Sequence, residues 1–211
     1  MKLISHSFRN GGPLPAEFAA GRRDGDSVGF GTNRNPHLAW REIPAATLSL
    51  ALVCVDPDVP TVAEMVGAPG IEIPDDQPRC DFAHWLLIDI PPSVSEIAAG
   101  ACSDGFVAHG KQAPNGPAGS RQGRNDYSAW FAGNPDMAGD YLGYDGPFPP
   151  PNDLRLHRYF FRLFALDCPH LPLPERFGYP DLLRTLHGHI LAETAIHASY
   201  SLHPARTGQT G

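Results

Sequence analysis

The sequence predicts a mainly β protein that forms a single domain over residues 1–211 and contains only a few short helices. Three observations carry this prediction. Three long apolar runs lack the one-sided pattern of a surface helix. The 211 residues include 22 Gly and 23 Pro, and proline costs the interior of a helix about 3 kcal/mol. Hydrophobic residues make up 42% of the chain, which is enough for a folded core.

Four segments have the patterns of β-strands. Thr47–Val55 and Ala83–Ile90 are continuously apolar, as expected for strands buried on both faces. Leu156–Asp167 is rich in aromatic residues on both faces. Ile190–Leu202 alternates apolar and polar residues with a period of two, which predicts a half-exposed strand. These strands predict that the centre of the fold is a sheet.

The remaining segments predict a helix, a loop and a tail. Tyr179–His189 has Pro180 near its start and leucines on one face, so it predicts a short helix. Gly105–Arg124 has no usable periodicity and predicts a long surface loop, which is either functional or mobile. Pro204–Gly211 predicts a frayed C-terminal tail.

The charge balance and the apolar pattern exclude several classes of protein. The net charge is −7, with 16 Lys and Arg against 23 Asp and Glu, which disfavours nucleic acid as a partner. No segment has the roughly 18 consecutive apolar residues of a transmembrane helix. The N-terminus lacks the apolar stretch of a signal peptide. We therefore expect a cytoplasmic protein.

No metal or cofactor is expected. The four cysteines are scattered and predict free thiols rather than disulfides or a zinc site: Cys54, Cys80, Cys102 and Cys168. His189, Glu193 and His197 would share one face of a helix, but a strand over this segment does not bring them together with helical spacing.

Four polar residues stand out in or next to the apolar strands. Asp56 directly follows the first strand, and His84 lies within the second. His157 and Tyr159 share one face of the third. Each could be an isolated, satisfied core residue. Together, however, they predict a polar pocket at the strand ends, because buried polar groups need partners.

Two further segments have both a structural and a functional interpretation. Asp58 can cap the turn that follows the first strand. The segment Tyr144–Pro151 ends in three prolines and could be a stiff connector. Alternatively, Gly146 allows close approach of a ligand and offers its backbone N–H.

Four blocks of the sequence resemble the phosphatidylethanolamine-binding protein family, and most closely its bacterial Raf-kinase-inhibitor-like branch. They occur in the order of that family, within a match from about Ile4 to about His203: Asp56–Thr61 (DPDVPT), Ala83–Pro91 (AHWLLIDIP), Tyr144–Pro150 (YDGPFPP) and Leu156–Asp167 (LHRYFFRLFALD). The resemblance implies two packed antiparallel sheets, short helices and a small anion pocket at one end of a sheet.

The resemblance also implies which residues form that pocket. It places four residues in the pocket and two in its wall: Asp56, His84, His157 and Tyr159, then Gly146 and Pro147. It implies supporting roles for Asp58, Pro60, Phe82 and Trp85. A cis peptide bond between Val59 and Pro60 is expected to aim Asp56 and Asp58.

The function expected from these residues is binding of a small phosphate-bearing ligand or phosphorylated group. The two histidines, the tyrosine and the Gly146 N–H are the expected donors, and Asp56 is expected to orient a histidine or contact the ligand. Catalytic residues are not expected, because no activated nucleophile lies near them. Two alternatives stay open, namely an interaction protein that inhibits a kinase or protease and an unrecognised hydrolase or lyase. A protein partner and a homodimer also stay open.

Overall fold

The computed structural model describes residues 1–206 and confirms the mainly β architecture. Within that range the strands are β1 Lys2–Ile4, β2 Gly21–Asp24, β3 Ser27–Phe30, β4 Leu38–Arg41, β5 Ser49–Pro60, β6 Arg79–Ile90, β7 Glu96–Ile97, β8 Arg121–Gln122, β9 His157–Leu166 and β10 Ile190–Tyr200. The helices are α1 Tyr127–Trp130 and α2 Tyr179–Leu186, with 3-10 turns at Ala16–Phe18 and Ala63–Met65. None of these helices is long and apolar enough to cross a membrane.

The strands form two main antiparallel sheets and one hairpin. The larger sheet has the order β10-β9-β5-β6-β8, and the smaller has the order β1-β4-β7. Strands β2 and β3 pair only with each other. The three central strands of the larger sheet, β9, β5 and β6, are therefore neighbours, and residues at the same level of these strands lie side by side.

The main core lies between the two sheets. The smaller sheet contributes Leu3, Leu38, Trp40 and Ile97, and the larger contributes apolar side chains of β5, β6 and β9. A second cluster covers the opposite face of the larger sheet, where Leu182 and Leu186 of α2 pack. Both faces are covered, which agrees with the continuously apolar stretches Leu50–Val55 of β5 and Trp85–Ile88 of β6.

Strand β5 is longer than predicted. It continues through Pro60, because Val59 pairs with Cys80 and Pro60 pairs with Arg79 beyond an irregularity that follows Asp56. Asp56 is therefore inside the strand and not the first residue after it. The prediction of a cis peptide bond between Val59 and Pro60 is wrong, since residues 1–206 contain no cis peptide bond.

The C-terminal part of the chain follows the prediction with two differences. In β10, Ile196, Ala198 and Tyr200 are buried, but Ile190 is exposed because a register irregularity follows it. In the predicted tail, residues 204–206 form a turn in which the Arg206 N–H donates to the His203 carbonyl over 2.9 Å. The rest of the tail lies outside the described residues.

Candidate functional site

The structure brings Asp56, His84, His157 and Tyr159 together at one cavity of about 260 Å³. Asp56 lies on β5, His84 on β6, and His157 and Tyr159 on β9. All four are nearly inaccessible to solvent. The structure therefore brings the four residues together on neighbouring strands, although Asp56 and His84 lie within their strands and not at strand ends. A ligand-binding role for them stays a prediction.

The walls of the cavity are apolar and mostly aromatic. They come from β3, β5, β6, the end of the 3-10 turn at Ala63–Met65, α1 with the residue after it, and the proline-rich segment: Phe30, Val59, Val66, Phe82, Tyr127, Trp130, Phe131, Phe148, Pro149, Pro150 and Pro151. Phe30 and Trp130 are also partly open to solvent, at 47% and 44% exposure. The cavity thus combines a polar floor with an apolar wall and mouth, which is typical of sites for small organic ligands.

His157 is held between two buried carboxylates. Its Nδ1 lies 2.7 Å from Asp56 Oδ2, and its Nε2 lies 3.0 Å from Asp153 Oδ2. Arg79 donates to both oxygens of Asp153, at 2.6 and 3.1 Å. Burial opposes a charge on His157, but the two carboxylates outweigh burial and raise its pKa to about 9. The ring is therefore an imidazolium at neutral pH.

This arrangement changes the expected role of His157. Both ring N–H groups donate to carboxylates, so neither is available to a ligand in this structure. Two carboxylates, one imidazolium and the Arg79 guanidinium carry no net charge together. Asp56 does orient a histidine, as the sequence analysis expected, and that histidine is His157.

His84 has a different environment. Its Nδ1 lies 2.7 Å from the backbone carbonyl oxygen of Asp145, and because a carbonyl only accepts, Nδ1 carries the proton. Burial lowers the pKa of His84, although Asp56 and the Asp145 carbonyl oppose that shift. His84, which lines the cavity, is therefore neutral, and its Nε2 carries the lone pair.

A buried polar network fixes the segment that contacts His84. The Asp145 carboxylate accepts hydrogen bonds from Asn33 over 2.7 Å and from Asn125 over 2.9 Å, and it forms an ion pair with Lys111. The backbone N–H of Asp145 donates to the His84 carbonyl over 3.0 Å. The loop predicted at residues 105–124 is shorter than expected, because β8 at Arg121–Gln122 pairs with β6. Lys111 lies in the part before β8, so its ion pair ties that loop to the segment that contacts His84.

Tyr159 contributes a hydroxyl group without a partner. It is the one buried side-chain nitrogen or oxygen among residues 1–206 that has no hydrogen bond. Burial and the nearby Asp56 charge raise the pKa of the phenol well above its usual value, so the hydroxyl keeps its proton. The Asp56 carboxylate is close enough to raise this pKa through a side-chain hydrogen bond as well as through its charge, although the two groups do not reach ordinary hydrogen-bond geometry. A donor is thus left at the cavity.

The wall residues expected from the sequence have structural roles instead. The Gly146 N–H donates to Asn33 Oδ1 over 2.8 Å, so it is not free for a ligand. A Cβ at Gly146 would lie 2.2 Å from the carbonyl oxygen of Phe18, which explains the glycine by packing. Pro147 does not line the cavity, whereas Phe148 and the following prolines do.

The expected supporting residues divide in the same way. Phe82 lines the cavity, but Asp58, Pro60 and Trp85 do not. Asp58 binds Arg155 and Arg158 through its side chain, and the guanidinium groups hold its pKa low despite burial. Trp85 lies in the core and donates its indole N–H to Gln122 over 2.8 Å. Asp58 and Trp85 therefore stabilise the fold around the site.

Comparisons with known proteins agree with this architecture. The family model described as phosphatidylethanolamine-binding protein matches residues 4–201. UPF0098 proteins of Methanothermobacter thermautotrophicus and of Escherichia coli K12 (YbhB) are each 31% identical over 95% of this chain, covering 98% and 100% of their own lengths.

Solved structures show the same fold. E. coli YbcL, described as a member of the mammalian PEBP family, aligns with a TM-score of 0.69 at 24% identity over 95% of this chain and 97% of its own. CT736 of Chlamydia trachomatis, described as a PEBP homologue, aligns with a TM-score of 0.64 at 26% identity, over 94% and 95% of the two chains. The family match spans nearly the whole chain, and it includes every strand that contributes to the cavity. The chain therefore belongs to the phosphatidylethanolamine-binding protein family.

Proposed function

We propose that this protein binds the phosphoryl group of a small phosphate ester at the floor of the cavity. The observation that carries the proposal is the Tyr159 hydroxyl, which is buried at the cavity without a hydrogen-bond partner. An unsatisfied buried polar group costs about 1–3 kcal/mol. A phosphoryl oxygen can accept this hydrogen bond and remove the cost.

The charges at the floor favour one protonation state of the ligand. The hydrogen bonds around His157 leave it no free N–H, and neutral His84 offers a lone pair at Nε2. A group that fits must accept a hydrogen bond from the Tyr159 hydroxyl and donate a hydrogen bond to His84 Nε2. The monoanion of a phosphate ester has both a P–O⁻ and a P–OH group, so it does both. A dianion binds only if His84 takes up a proton.

The walls suit the rest of the ligand. Aromatic faces such as Phe82, Trp130 and Phe131 contact apolar groups and attract cations. A phosphate ester with a small apolar or ammonium-bearing group, such as phosphoethanolamine, matches both halves of the cavity.

The polar groups at the cavity support binding rather than hydrolysis. Among the described residues that line it, there is no Ser, Thr, Cys or Lys to act as a nucleophile. The nearby Cys54 is buried, and burial with the Asp56 charge raises its thiol pKa well above the usual value. We expect no release of inorganic phosphate when phosphoethanolamine is incubated with the protein.

Calorimetric titration with phosphoethanolamine between pH 5.5 and 8 tests this proposal. The second pKa of the phosphoryl group is about 6, and the fraction of the ligand that is a monoanion falls about tenfold with each pH unit above that value. The affinity of the protein for phosphoethanolamine should therefore fall about tenfold per pH unit above about pH 6. Tyr159→Phe should weaken binding about tenfold, the value of one lost hydrogen bond to a charged group. Tyr141→Phe is the matched control, since the Tyr141 hydroxyl donates to the Met137 carbonyl over 2.7 Å. Equal affinity of the two variants, or affinity that does not change with pH, would contradict the proposal.

A further inference from the structure

A second group of reactive side chains lies at the opposite end of the large sheet from the cavity. Strand β9 ends at Leu166 and is followed by Asp167 and Cys168, while His189 precedes the start of β10. His157, at the cavity end of β9, is nine residues from Leu166, or about 30 Å at the rise of an extended strand. This group is therefore independent of the phosphoryl site.

The fold brings these three residues together although 20 residues separate Cys168 from His189. The Asp167 N–H donates to the His189 carbonyl over 3.1 Å, which closes the base of the segment that contains α2. Ser49 Oγ donates to the Cys168 carbonyl over 2.6 Å and fixes the backbone there. The backbone thus holds the three residues close together, and two of the side chains also contact each other, since His189 Nδ1 lies 2.8 Å from Asp167 Oδ1.

The side chains offer three different donor atoms within a small volume. A carboxylate oxygen of Asp167, the Sγ of Cys168 and a ring nitrogen of His189 all lie within 4.8 Å of one another. Cys168 and His189 are partly buried, and Asp167 is exposed. The group is therefore accessible to an ion in solution and partly shielded from water.

We propose that Asp167, Cys168 and His189 form a Zn²⁺ site, with water as a fourth ligand, that ties the end of β9 to the start of β10. Thiolate, imidazole and carboxylate together are a typical zinc ligand set, whereas Mg²⁺ and Ca²⁺ prefer oxygen alone.

The contact between two of the ligands is one that a cation can replace. A divalent cation would take the place of the proton between His189 Nδ1 and Asp167 Oδ1. Binding it would deprotonate the thiol, because a coordinated thiol loses its proton.

Titration of the full-length protein, without a metal-binding tag, with Co²⁺ and with Zn²⁺ tests the site. Co²⁺ replaces Zn²⁺ in tetrahedral sites and gives a thiolate charge-transfer absorption band. We expect this band in the wild type and in Cys80→Ala, which removes an exposed thiol at another place. Cys168→Ala should abolish the band, and His189→Gln should lower Zn²⁺ affinity at least tenfold.

Thermal unfolding is a second measurement of Zn²⁺ binding at this site. Zn²⁺ should raise the melting temperature of the wild type and of Cys80→Ala, because a ligand of the native state stabilises it. Cys168→Ala should show a much smaller rise. The proposal is overturned if the wild type gives no thiolate band, if the band survives in Cys168→Ala, or if it disappears in Cys80→Ala.

Discussion

His84 and His157 lie on opposite sides of β5 at the same cavity, and both are almost completely buried. Their pKa values nevertheless move in opposite directions. His157 contacts two carboxylates and has a pKa raised to about 9. His84 Nδ1 contacts the backbone carbonyl of Asp145 and no carboxylate, and burial lowers the pKa of this ring.

The difference shows that the partners of a buried histidine, and not its burial alone, decide its charge. Burial disfavours the imidazolium at both positions. Only at His157 do the carboxylates of Asp56 and Asp153 overcome that cost. One histidine therefore supplies a fixed positive charge, and the other supplies a lone pair. Changing one partner at a time should separate these two roles.

The largest effect is expected from Asp56→Asn. This change keeps the size of the side chain but leaves the His157 imidazolium with one carboxylate partner fewer. Breaking a buried ion pair costs about 3–5 kcal/mol, so the free energy of unfolding at pH 7 should fall by about that amount. Urea unfolding measures this loss. Asp24→Asn, at an exposed position in the β2–β3 hairpin, is the control and should change stability little.

The pH dependence of the same measurement checks the cause. The folded pKa of His157, about 9, lies above the unfolded value of 6.5. Its contribution to stability is therefore complete below about pH 6.5 and is lost as pH rises through about 9. In Asp56→Asn this loss should be smaller and should occur at lower pH. An unchanged pH profile in the variant would show that Asp56 does not hold the charge on His157.

A smaller effect is expected from Lys111→Met. The change leaves the Asp145 carboxylate buried with its two asparagine donors but without its cation. Stability should fall by about 3 kcal/mol, and amide hydrogen exchange should speed up in residues 105–124. Lys2→Met is the control, because Lys2 forms an exposed ion pair with Glu42 that is worth less than about 1 kcal/mol. An unchanged exchange rate in Lys111→Met would show that other contacts hold the loop.

The smallest effect on stability is expected from Tyr159→Phe. The hydroxyl has no partner in the folded protein, so its removal breaks no hydrogen bond. The free energy of unfolding should stay within about 1 kcal/mol of the wild type or rise, because an unsatisfied buried group is removed. A large loss of stability in urea unfolding would mean that the hydroxyl is bonded in the native protein.

Much of this site could be predicted from the sequence, because it lies on strands with clear apolar patterns. The polar residues in the apolar strands indicated that Asp56, His84, His157 and Tyr159 need partners, and the family resemblance placed them in one pocket. Asp153 was missed as the second partner of His157. It lies four residues before His157 and outside any helix, so no periodic pattern links the two.

The parts that failed depend on backbone paths between elements. Gly146 appeared suited to a ligand, but its closest neighbour is the backbone of Phe18, which is distant in sequence. Trp85 adjoins His84 in the chain, but the pleat of β6 places it in the core. Asp167 and Cys168 meet His189 only because the segment with α2 returns to the end of β9. Such contacts follow from the tertiary path and leave no local signal.

The most direct test of the account is the ¹⁵N NMR spectrum of the two histidine rings at pH 7.5, with and without phosphoethanolamine. In the free protein, His157 should show two protonated nitrogens, and His84 should show a protonated Nδ1 with an unprotonated Nε2. Ligand should change the Nε2 signal of His84 and leave both nitrogens of His157 protonated. An imidazolium at His84 in the free protein, or a ligand that changes His157 and leaves His84 unchanged, would contradict the account.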